Sequence, residues 1–522
     1  MKKSILFLLL VLLHTSSVMA QSQADVDNAM RKLYMATVMT SVYYVDSVDM
    51  NKLAEDAING MLDKLDPHSS YTNAEETRKF QEPLQGSFEG IGVQFNMLED
   101  TLVIIQPVAK GPSEKVGIMA GDRIITVNDT TIAGVKMSRE DIMHRLRGPK
   151  GSKVKLGIMR QGTEGLSYFT VTRGTIPVNT LEAAYMVTPT IGLIRFTSFG
   201  MTTHDEVMKA IHKLKEQGMK DLIVDLQQNG GGILDVAADI ASEFLAKGDT
   251  IVYTEGRTIP ARMFTSKGNN GFQQGKVAVL IDEYSASAAE ILTGAIQDND
   301  RGVVLGRRSF GKGLVQRPID MPDGSMIRLT IARYYTPSGR CIQKPYTKGD
   351  KKEYSMDAIN RYNKGELTNA DSIHFPDSLR YTTRGGRVVY GGGGIMPDYF
   401  VPLDTTRYTK LYRELSVKGL IVNANLRYLD KSRKQLARHW KNFADFHANY
   451  QVPDEMIERL LEEGEKQKIT AADDEERQNT INQLRLTLKA LVARDIWDMS
   501  EYFAIVYEND PLVKKAIELL EE

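Results

Sequence analysis

The spacing of hydrophobic residues divides the chain into stretches of different character. From residue 24 to residue 65 they recur every three or four positions, which predicts helices across the N-terminal region, residues 21–85. Residues 86–173 instead predict a small β-rich domain with one or two helices. Its predicted strands are Gly92–Phe95, Leu102–Val108, Arg123–Val127, Val154–Met159 and Ser167–Thr172.

From residue 174 to residue 404, apolar strands alternate with helices, which predicts a layered α/β fold. A helix is expected over Thr203–Gln217, with Thr203 and Glu206 spaced as a capping box. Residues 346–384 are polar and poorly periodic, so we expect a surface insertion or mobile loop there. The buried strands are predicted at Ile191–Phe196, Leu222–Leu226, Val277–Ile281 and Val303–Leu305.

Residues 405–522 read as helical and charged almost throughout. Helices of this kind need a surface on which to bury their apolar stripes. That surface can belong to this chain or to another copy, so we expect packing on the core, self-assembly into a homo-oligomer, or docking of an adaptor.

The first twenty residues have the pattern of an export signal. Lys2 and Lys3 precede the apolar run Ile5–Leu13, and small residues follow up to Ala20. The run is shorter than the roughly 20 residues that a membrane span needs. We therefore expect cleavage after Ala20 and a soluble protein that is periplasmic or otherwise extracytoplasmic; the alternative is an uncleaved anchor helix.

Composition narrows the function classes. The 66 Lys and Arg residues are balanced by 67 Asp and Glu residues, so the chain lacks the basic excess that nucleic-acid binding requires. The single cysteine, Cys341, excludes an intrachain disulfide and any multi-cysteine metal site. The eight histidines are scattered singly, which argues against a Ser–His–Asp triad; we take His68 as a structural turn residue and His204 as a surface residue. No metal and no cofactor are expected.

The first candidate catalytic segment follows the strand Val277–Ile281 and leads into an apolar helix. It contains two serines, Ser285 and Ser287. A serine at such a turn is exposed at the edge of the sheet, and the N–H groups beside it belong to a helix N-terminus that suits a developing oxyanion. The alternative is simple helix capping by either serine.

A second segment, residues 311–316, contains Lys312 between two glycines. If it is extended, Lys312 and Gln316 share one face. The lysine can act as a base only if burial or a cationic neighbour, such as Arg307 or Arg308, lowers its pKa. A surface lysine in a glycine turn is the alternative.

A third segment, Asp225 to Gly232, is a buried strand that ends in a glycine turn. Glycines allow close backbone approach, so one of their N–H groups could complete an oxyanion hole. A phosphate-binding loop is the alternative, but the Lys-Ser/Thr ending of a Walker loop is missing.

Together the three segments resemble the C-terminal processing peptidases, also called tail-specific proteases, through Ser285–Glu290, Phe310–Gly313 and Asn229–Gly232. The resemblance implies Ser287 as nucleophile, with Ser285 as runner-up, and Lys312 as general base. Its further implied site residues are Gln316 orienting the lysine, Asp298 in a supporting role, and the N–H groups of Ala288 and Gly231 as oxyanion donors.

The resemblance extends over about residues 28–403. Leu65–Tyr71 is similar to the segment that precedes a PDZ domain in this family, and Pro112–Asp122 is similar to a run within that domain. The loop of Gly90, Ile91, Gly92 and Val93 resembles one that captures a substrate's C-terminal carboxylate while the peptide adds a strand to the sheet.

The predicted fold is therefore multidomain α/β: a layered, crotonase-like peptidase core, an inserted β-rich PDZ domain, and helical N- and C-terminal regions. The predicted function is an exported serine endopeptidase that binds the C-termini of proteins or peptides. A non-catalytic PDZ scaffold or holdase is one alternative, and a crotonase-like acyl-thioester enzyme is another, because related cores host other chemistry.

Overall fold

The computed structural model describes the backbone of residues 2–522 and the side chains of residues 23–522. The predicted signal segment, residues 1–20, lies outside the part whose side chains are described. Among the described residues, none of the helices has both the length and the apolar character needed to cross a bilayer. The N-terminal region contains α1 (Lys2–Tyr43), α2 (Met50–Leu62), β1 (Ser70–Thr72) and α3 (Ala74–Gln85).

Residues 87–177 contain a six-stranded antiparallel sheet with two helices packed against it. The strands follow the order β3-β4-β5-β7-β8, so β3 lies at an edge, and β6 pairs with β5. β2 and β9, which enter and leave the unit, pair with each other and close it off. The elements are β2 (Ser87–Gly90), β3 (Val93–Leu98), β4 (Thr101–Pro107), α4 (Pro112–Lys115), β5 (Arg123–Val127), β6 (Thr130–Thr131), α5 (Arg139–Leu146), β7 (Lys153–Met159), β8 (Ser167–Thr172) and β9 (Gly174–Pro177).

The α/β layer begins with β10 (Leu181–Met186), β11 (Ile191–Phe196), α6 (Thr203–Glu216), β12 (Asp221–Asp225), α7 (Leu234–Phe244), β13 (Thr250–Glu255), β14 (Arg262–Thr265), β15 (Val277–Ile281), α8 (Ala288–Asp298), β16 (Val303–Gly306), β17 (Leu314–Asp320) and β18 (Met326–Tyr335). The strands β11, β12, β15 and β16 are parallel and fully apolar in their centres, while β10 is an antiparallel edge. A second sheet, β1-β18-β13-β14 with β17 on β18, is antiparallel throughout.

The start of α6 differs from the predicted capping box. Thr202 is the N-cap residue, without a side-chain capping bond. The Glu206 carboxylate instead accepts from the Thr202 hydroxyl and from the backbone N–H groups of Thr180 and Leu181. Glu206 therefore joins α6 to β10 rather than closing its own helix.

The polar stretch 346–384 is an ordered cover on the core. It contains α9 (Lys351–Ser355) and α10 (Asp357–Asn363), and its chain continues through β19 (Arg380–Thr382) and β20 (Val388–Tyr390) to β21 (Tyr399–Phe400), which adds a parallel strand to the main sheet. Tyr354, Arg361 and Leu367 are buried. Of the two expectations, a surface insertion or a mobile loop, the structure has an ordered insertion, because a few large side chains without helical periodicity anchor the segment.

The C-terminal helices pack on this chain. They are α11 (Lys410–Val417), α12 (Leu420–His439), α13 (Phe443–Asn449), α14 (Asp454–Lys466), α15 (Asp474–Ile496), α16 (Met499–Tyr507) and α17 (Pro511–Glu521). The first five form a separate core together with Ile505 of α16. α16 and α17 also cover the second face of the main sheet, over Leu193 and Leu280. α12 contacts the small β-rich unit, where Arg123 pairs with Asp430 at 2.8 Å.

Candidate active site

The turn between β15 and α8 presents Ser287. This residue has φ 58° and ψ −116°, a backbone conformation that is costly for a residue with a side chain and is found at functional turns. Ser287 is half-buried and is the N-cap residue of α8. All eleven residues of that helix are buried. A strained strand-to-helix turn of this kind projects a serine hydroxyl from the edge of the sheet.

Ser285, the second eligible serine, is fully buried. Its Oγ donates to the Leu226 carbonyl at 2.8 Å and accepts the Asp282 N–H at 3.0 Å. These bonds tie the turn to the neighbouring strand β12. The geometry therefore gives Ser285 a structural role and leaves Ser287 as the accessible serine.

Glu290 joins the serine turn to the lysine loop. It is fully buried, and its Oε2 accepts the N–H groups of Ser287 at 2.8 Å and Lys312 at 2.9 Å. Its Oε1 accepts the Gly311 N–H at 2.7 Å and the Ser309 hydroxyl at 2.5 Å. Burial raises the pKa of the Glu290 carboxyl, and these donors oppose that rise because each favours the ionised form.

Lys312 lies in the loop between β16 and β17. The Tyr334 hydroxyl lies 2.5 Å from the Lys312 carbonyl and 3.2 Å from the Ser287 carbonyl, which gives the two segments a second shared contact. Burial, followed by the positive charge of Arg328, lowers the pKa of Lys312, while the Glu290 and Asp66 carboxylates oppose the change. A lowered pKa favours the neutral amine that a general base requires.

The expected cationic neighbours of Lys312 were wrong. Arg307 pairs with Glu283 at 2.7 Å, and Arg308 pairs with Glu366. The cation that acts on the lysine, Arg328, comes from the next strand, β18, and is brought close by the antiparallel pairing of β17 with β18. Adjacent positions in the chain thus gave no guide to the electrostatics of the lysine.

Gln316 lies near the predicted base without a hydrogen bond to it among the described residues. Its Nε2 donates to the Leu314 carbonyl and to Thr330 Oγ1, both at 3.2 Å. Thr330 in turn donates to the Asp66 carboxylate at 2.9 Å. Strand β17 begins at Leu314, so Lys312 lies before it and the strand alternation assumed in the shared-face prediction does not extend to the lysine; the register shift at Gln316 has its extra residue, Ile331, in β18.

The glycine turn after β12 lies against the nucleophile turn. A Cβ on Gly231 would lie 2.7 Å from the Ser287 Cβ and 2.8 Å from the Ala288 nitrogen, so only glycine fits there. The Gly231 N–H, expected as an oxyanion donor, donates in this structure to Asn229 Oδ1 at 2.9 Å. Ala288 is the first residue of α8, where N–H groups have no partner within the helix.

Asp298, the expected supporting acid, is the last residue of α8. It is about 15 Å along the helix axis from Ala288, given a rise of about 1.5 Å per residue. Its carboxylate pairs with Arg340 at 2.7 Å and accepts the Ser338 hydroxyl at 2.7 Å. It therefore anchors the turn after β18 and does not contact Ser287 or Lys312.

His68 lies on the lysine side of the site, within the turn that the sequence assigned to it. Burial, together with the charge of Lys312, lowers the pKa of His68 to about 3, so its imidazole is neutral at physiological pH. Its Nε2 lies 2.9 Å from the Tyr354 hydroxyl, a contact with the 346–384 cover. His204, expected at the surface, is half-buried and contacts Glu243 at 2.7 Å.

The small β-rich unit carries a groove of about 310 Å³ between the free edge of β3 and the helix α5. Ile91, Gly92 and Val93, three of the four residues predicted to bind peptide, line it, and Gly90 adjoins it as the last residue of β2. The N–H groups of Ile91 and Gly92 have no acceptor among the described residues. The groove therefore offers an unpaired strand edge beside free N–H groups, the two features that bind an extended chain terminus.

Sequence reasoning missed the roles of Glu290, Tyr334 and Asp66. Only Glu290 left a signal, because it is an acid among apolar residues at the start of α8, three positions after Ser287. A buried acid needs several donors, and the nearest candidates were the glycine N–H groups of the predicted lysine loop. Tyr334 and Asp66 reach the site through strand pairing, which the sequence alone does not give.

Comparisons with known proteins agree with this architecture. Residues 190–352 match the model of peptidase family S41, residues 90–166 match the PDZ domain, and residues 12–77 match the N-terminal domain of the activating protease CtpB. Residues 411–498 match a family of unknown function. The peptidase and PDZ matches lie inside the predicted ranges 174–404 and 86–173.

Several curated proteins are similar over most of their length. Carboxy-terminal processing protease CtpB of Bacillus subtilis is 35% identical over 63% of this chain and 69% of its own. CtpA of the same organism is 34% identical over 67% and 76%, and the Bartonella bacilliformis carboxy-terminal-processing protease is 37% identical over 58% and 69%. Among solved structures, a photosystem II D1 C-terminal processing protease is 24% identical over 70% of this chain and 86% of its own, with a TM-score of 0.35.

Proposed function

Because the chain belongs to the carboxy-terminal processing proteases of peptidase family S41, we propose that Ser287 and Lys312 form the catalytic dyad of a serine endopeptidase. The observation that carries this proposal is the Glu290 carboxylate, which accepts the backbone N–H groups of both residues. One buried group thus sets the positions of the nucleophile and the base together. The scaffold and acyl-thioester alternatives are not favoured by these relatives.

In the proposed reaction, the Ser287 hydroxyl attacks the scissile carbonyl and the neutral Lys312 amine accepts its proton. The tetrahedral oxyanion is stabilised by the Ala288 N–H at the start of α8, where the helix dipole is also favourable. A second donor comes from the adjoining glycine turn. It is either the Gly231 N–H, once its hydrogen bond to Asn229 Oδ1 is broken, or the N–H of a neighbouring glycine. The lysinium then protonates the leaving amine, and water hydrolyses the acyl-enzyme.

Substrate proteins are proposed to dock through their C-termini in the groove beside β3. The free N–H groups of Ile91 and Gly92 bind the terminal carboxylate, and the last residues pair with the strand edge. The apolar lining of the groove favours an apolar last side chain. Docking at this site brings an upstream segment of the same substrate to the peptidase core.

The dyad is tested by cleavage of an unfolded protein substrate. Ser287→Ala and Lys312→Ala are each expected to abolish turnover while leaving peptide binding in place. Ser285→Ala is the matched control: it loses buried hydrogen bonds and stability but keeps the nucleophile. Full turnover in the Ser287 or Lys312 variant, or loss of reaction with a serine-directed probe only in Ser285→Ala, would contradict the assignment.

The proposal also includes export through residues 1–20 and assembly into an oligomer or with an adaptor. The proposed export is supported by the two lysines and the following apolar run in these residues. N-terminal sequencing of the protein from extracytoplasmic fractions would find residue 21 first. Light scattering of the full chain, compared with a chain ending near Leu403, tests assembly through the C-terminal helices.

A further inference from the structure

A buried carboxylate lies on the lysine side of the site, in the turn before β1. Asp66 is 7% exposed, and its Oδ1 accepts the N–H groups of His68 at 2.9 Å and Ser69 at 3.0 Å. Its Oδ2 accepts the Ser69 hydroxyl at 2.5 Å. Burial raises the pKa of the Asp66 carboxyl, but the donors that face it outweigh burial, so the net pKa is lowered. The turn therefore holds a full negative charge in place at neutral pH.

Strand pairing connects this carboxylate to Gln316. β18 lies between β1 and β17, so its Thr330 can reach both neighbours. The Thr330 hydroxyl donates to Asp66 Oδ1 at 2.9 Å and accepts from Gln316 Nε2 at 3.2 Å. An ionised carboxylate only accepts, and a hydroxyl has a single proton. Thr330 therefore gives its proton to Asp66 and must accept from Gln316, which fixes the end of the Gln316 amide that is turned toward it.

The Gln316 amide is thereby left with an available acceptor. The bonds of its Nε2 go to the Leu314 carbonyl and to Thr330, and its Oε1 has no donor among the described residues. The Lys312 amine likewise makes no side-chain hydrogen bond within that part of the chain. When Lys312 takes the proton of the nucleophile, it becomes a cation with three N–H donors, for which an available amide oxygen is a suitable partner.

The charges that act on Lys312 come from three parts of the fold. Burial is the largest cause that lowers the pKa of Lys312, and the positive charge of Arg328 on β18 adds to it. Glu290 of α8 and Asp66 act in the opposite direction, because each negative charge favours the protonated amine. His68, in the same turn as Asp66, is neutral, since burial and the charge of Lys312 lower its pKa to about 3.

Two further lysines face the turn, and each has its own acid. Lys344 pairs with Asp357 at 2.9 Å, and Lys351 pairs with Asp63 at 2.7 Å. Neither of them forms an ion pair with the turn carboxylate. That carboxylate therefore keeps its charge available for the base.

We propose that Asp66 is the positioning acid of the dyad. Through the Thr330 hydroxyl it fixes the orientation of the Gln316 amide. Its charge also stabilises Lys312 in the protonated form that arises during attack by the serine. This inference rests on the proposed dyad and adds to it a residue from the N-terminal region.

The test follows kcat and KM for a short peptide against pH, with the full chain carrying Asp66→Asn. Asparagine keeps Oδ1 as an acceptor and removes the charge. Since the Asp66 charge raises the pKa of Lys312, its loss should move the rising limb of kcat/KM to lower pH. The protonated lysine also loses stabilisation, so kcat on the plateau should fall roughly tenfold to a hundredfold with KM unchanged, a part of the roughly 10²–10⁴-fold that positioned proton transfer contributes.

Asp63→Asn is the matched control. It removes a carboxylate three residues earlier in the chain, whose partner is Lys351, and should keep both the plateau and the limb of the parent chain. Partial unfolding of Asp66→Asn would lower the plateau without moving the limb. The direction in which the limb moves therefore separates positioning from a merely structural role.

A second substitution tests the hydroxyl link and decides the matter even where Asp66→Asn does not fold. Thr330→Val removes the hydroxyl but keeps the charge of Asp66, so kcat should fall about tenfold while the limb stays in place. Thr330→Ser keeps a hydroxyl and should have the kcat of the parent chain. Equal kcat in the parent, Val and Ser chains would refute the link to Gln316.

The outcome for the dyad is read in the same series. Lys312→Ala should abolish turnover at every pH; if turnover remains, the dyad fails and this inference fails with it. If Lys312→Ala is inactive but the limb of Asp66→Asn stays at the parent pH or moves higher, the dyad stands and the role of Asp66 is overturned.

Discussion

Replacing Glu290 with glutamine tests whether one buried carboxylate organises both halves of the dyad. The substitution preserves shape but converts one acceptor oxygen into an NH₂ donor. In the wild type both oxygens face donors, namely the N–H groups of Ser287, Gly311 and Lys312 and the hydroxyl of Ser309. With its NH₂ group at the Oε2 position, the amide opposes the N–H groups of Ser287 and Lys312. At the Oε1 position it opposes the Gly311 N–H, while the Ser309 hydroxyl can turn to accept.

The size of the effect follows from these contacts. A hydrogen bond to a charged group contributes about 1.5–3 kcal/mol, so the one or two lost bonds amount to about 1.5–6 kcal/mol. Relief from burying a charge offsets part of this loss. If misplacement of Ser287 and Lys312 raises the activation free energy by about 3 kcal/mol, kcat/KM falls about 100-fold, because about 1.4 kcal/mol corresponds to a factor of ten.

The assay for Glu290→Gln is steady-state cleavage of a short peptide, together with the rate of labelling by a serine-directed probe and a thermal unfolding curve. Both rates should fall while the protein remains folded. Glu283→Gln is the matched control, because Glu283 is also buried but pairs with Arg307 and contacts neither dyad residue. Wild-type kcat/KM and labelling in Glu290→Gln would refute the reasoning.

Two further predictions concern the electrostatics of the base and the support of the sheet. Arg328→Met removes the cation that lowers the pKa of Lys312. Since activity needs the neutral amine, the rising limb of kcat/KM against pH should move to higher pH. Arg333→Met, at an exposed arginine of the same strand, is the control and should not move it. An unmoved limb in Arg328→Met would count against Lys312 as the base. Tyr507→Phe removes a buried 2.7 Å bond to Asp225, so calorimetry should show lower stability, by about 1.5–3 kcal/mol, with peptide cleavage retained; an unchanged melting profile would contradict this.

The central strands could be predicted from the sequence because each is a short apolar run bounded by polar residues. Ile191–Phe196 and Val277–Ile281, which are buried along their whole length, have the predicted bounds. Burial on both faces makes such runs nearly continuous in apolar residues, so the local pattern carries the information. The 346–384 cover has no such pattern, since isolated side chains such as Tyr354 anchor it.

The candidate site also has a part that could be predicted from local sequence and a part that could not. Ser287 and its turn were visible because a strand, a small-residue turn and a helix are adjacent in sequence. The environment of Lys312 was not, because Arg328, Tyr334 and Asp66 reach it by strand pairing and by the turn before β1. Local sequence identifies the reacting groups, while the groups that change the pKa of the lysine come from other strands and turns.

The cover that α16 and α17 form over the main sheet affects how the enzyme is made. Leu193, Ile223 and Leu280 lie on the covered face, and their partners, among them Phe503 and Ala516, are synthesised more than two hundred residues later. Until both helices have been synthesised, this face of the sheet lacks the apolar side chains that α16 and α17 pack on it. Contacts this distant in sequence form late in folding. This face of the sheet is therefore packed only after α16 and α17 have been synthesised, which places completion of the layer that carries Ser287 late in folding.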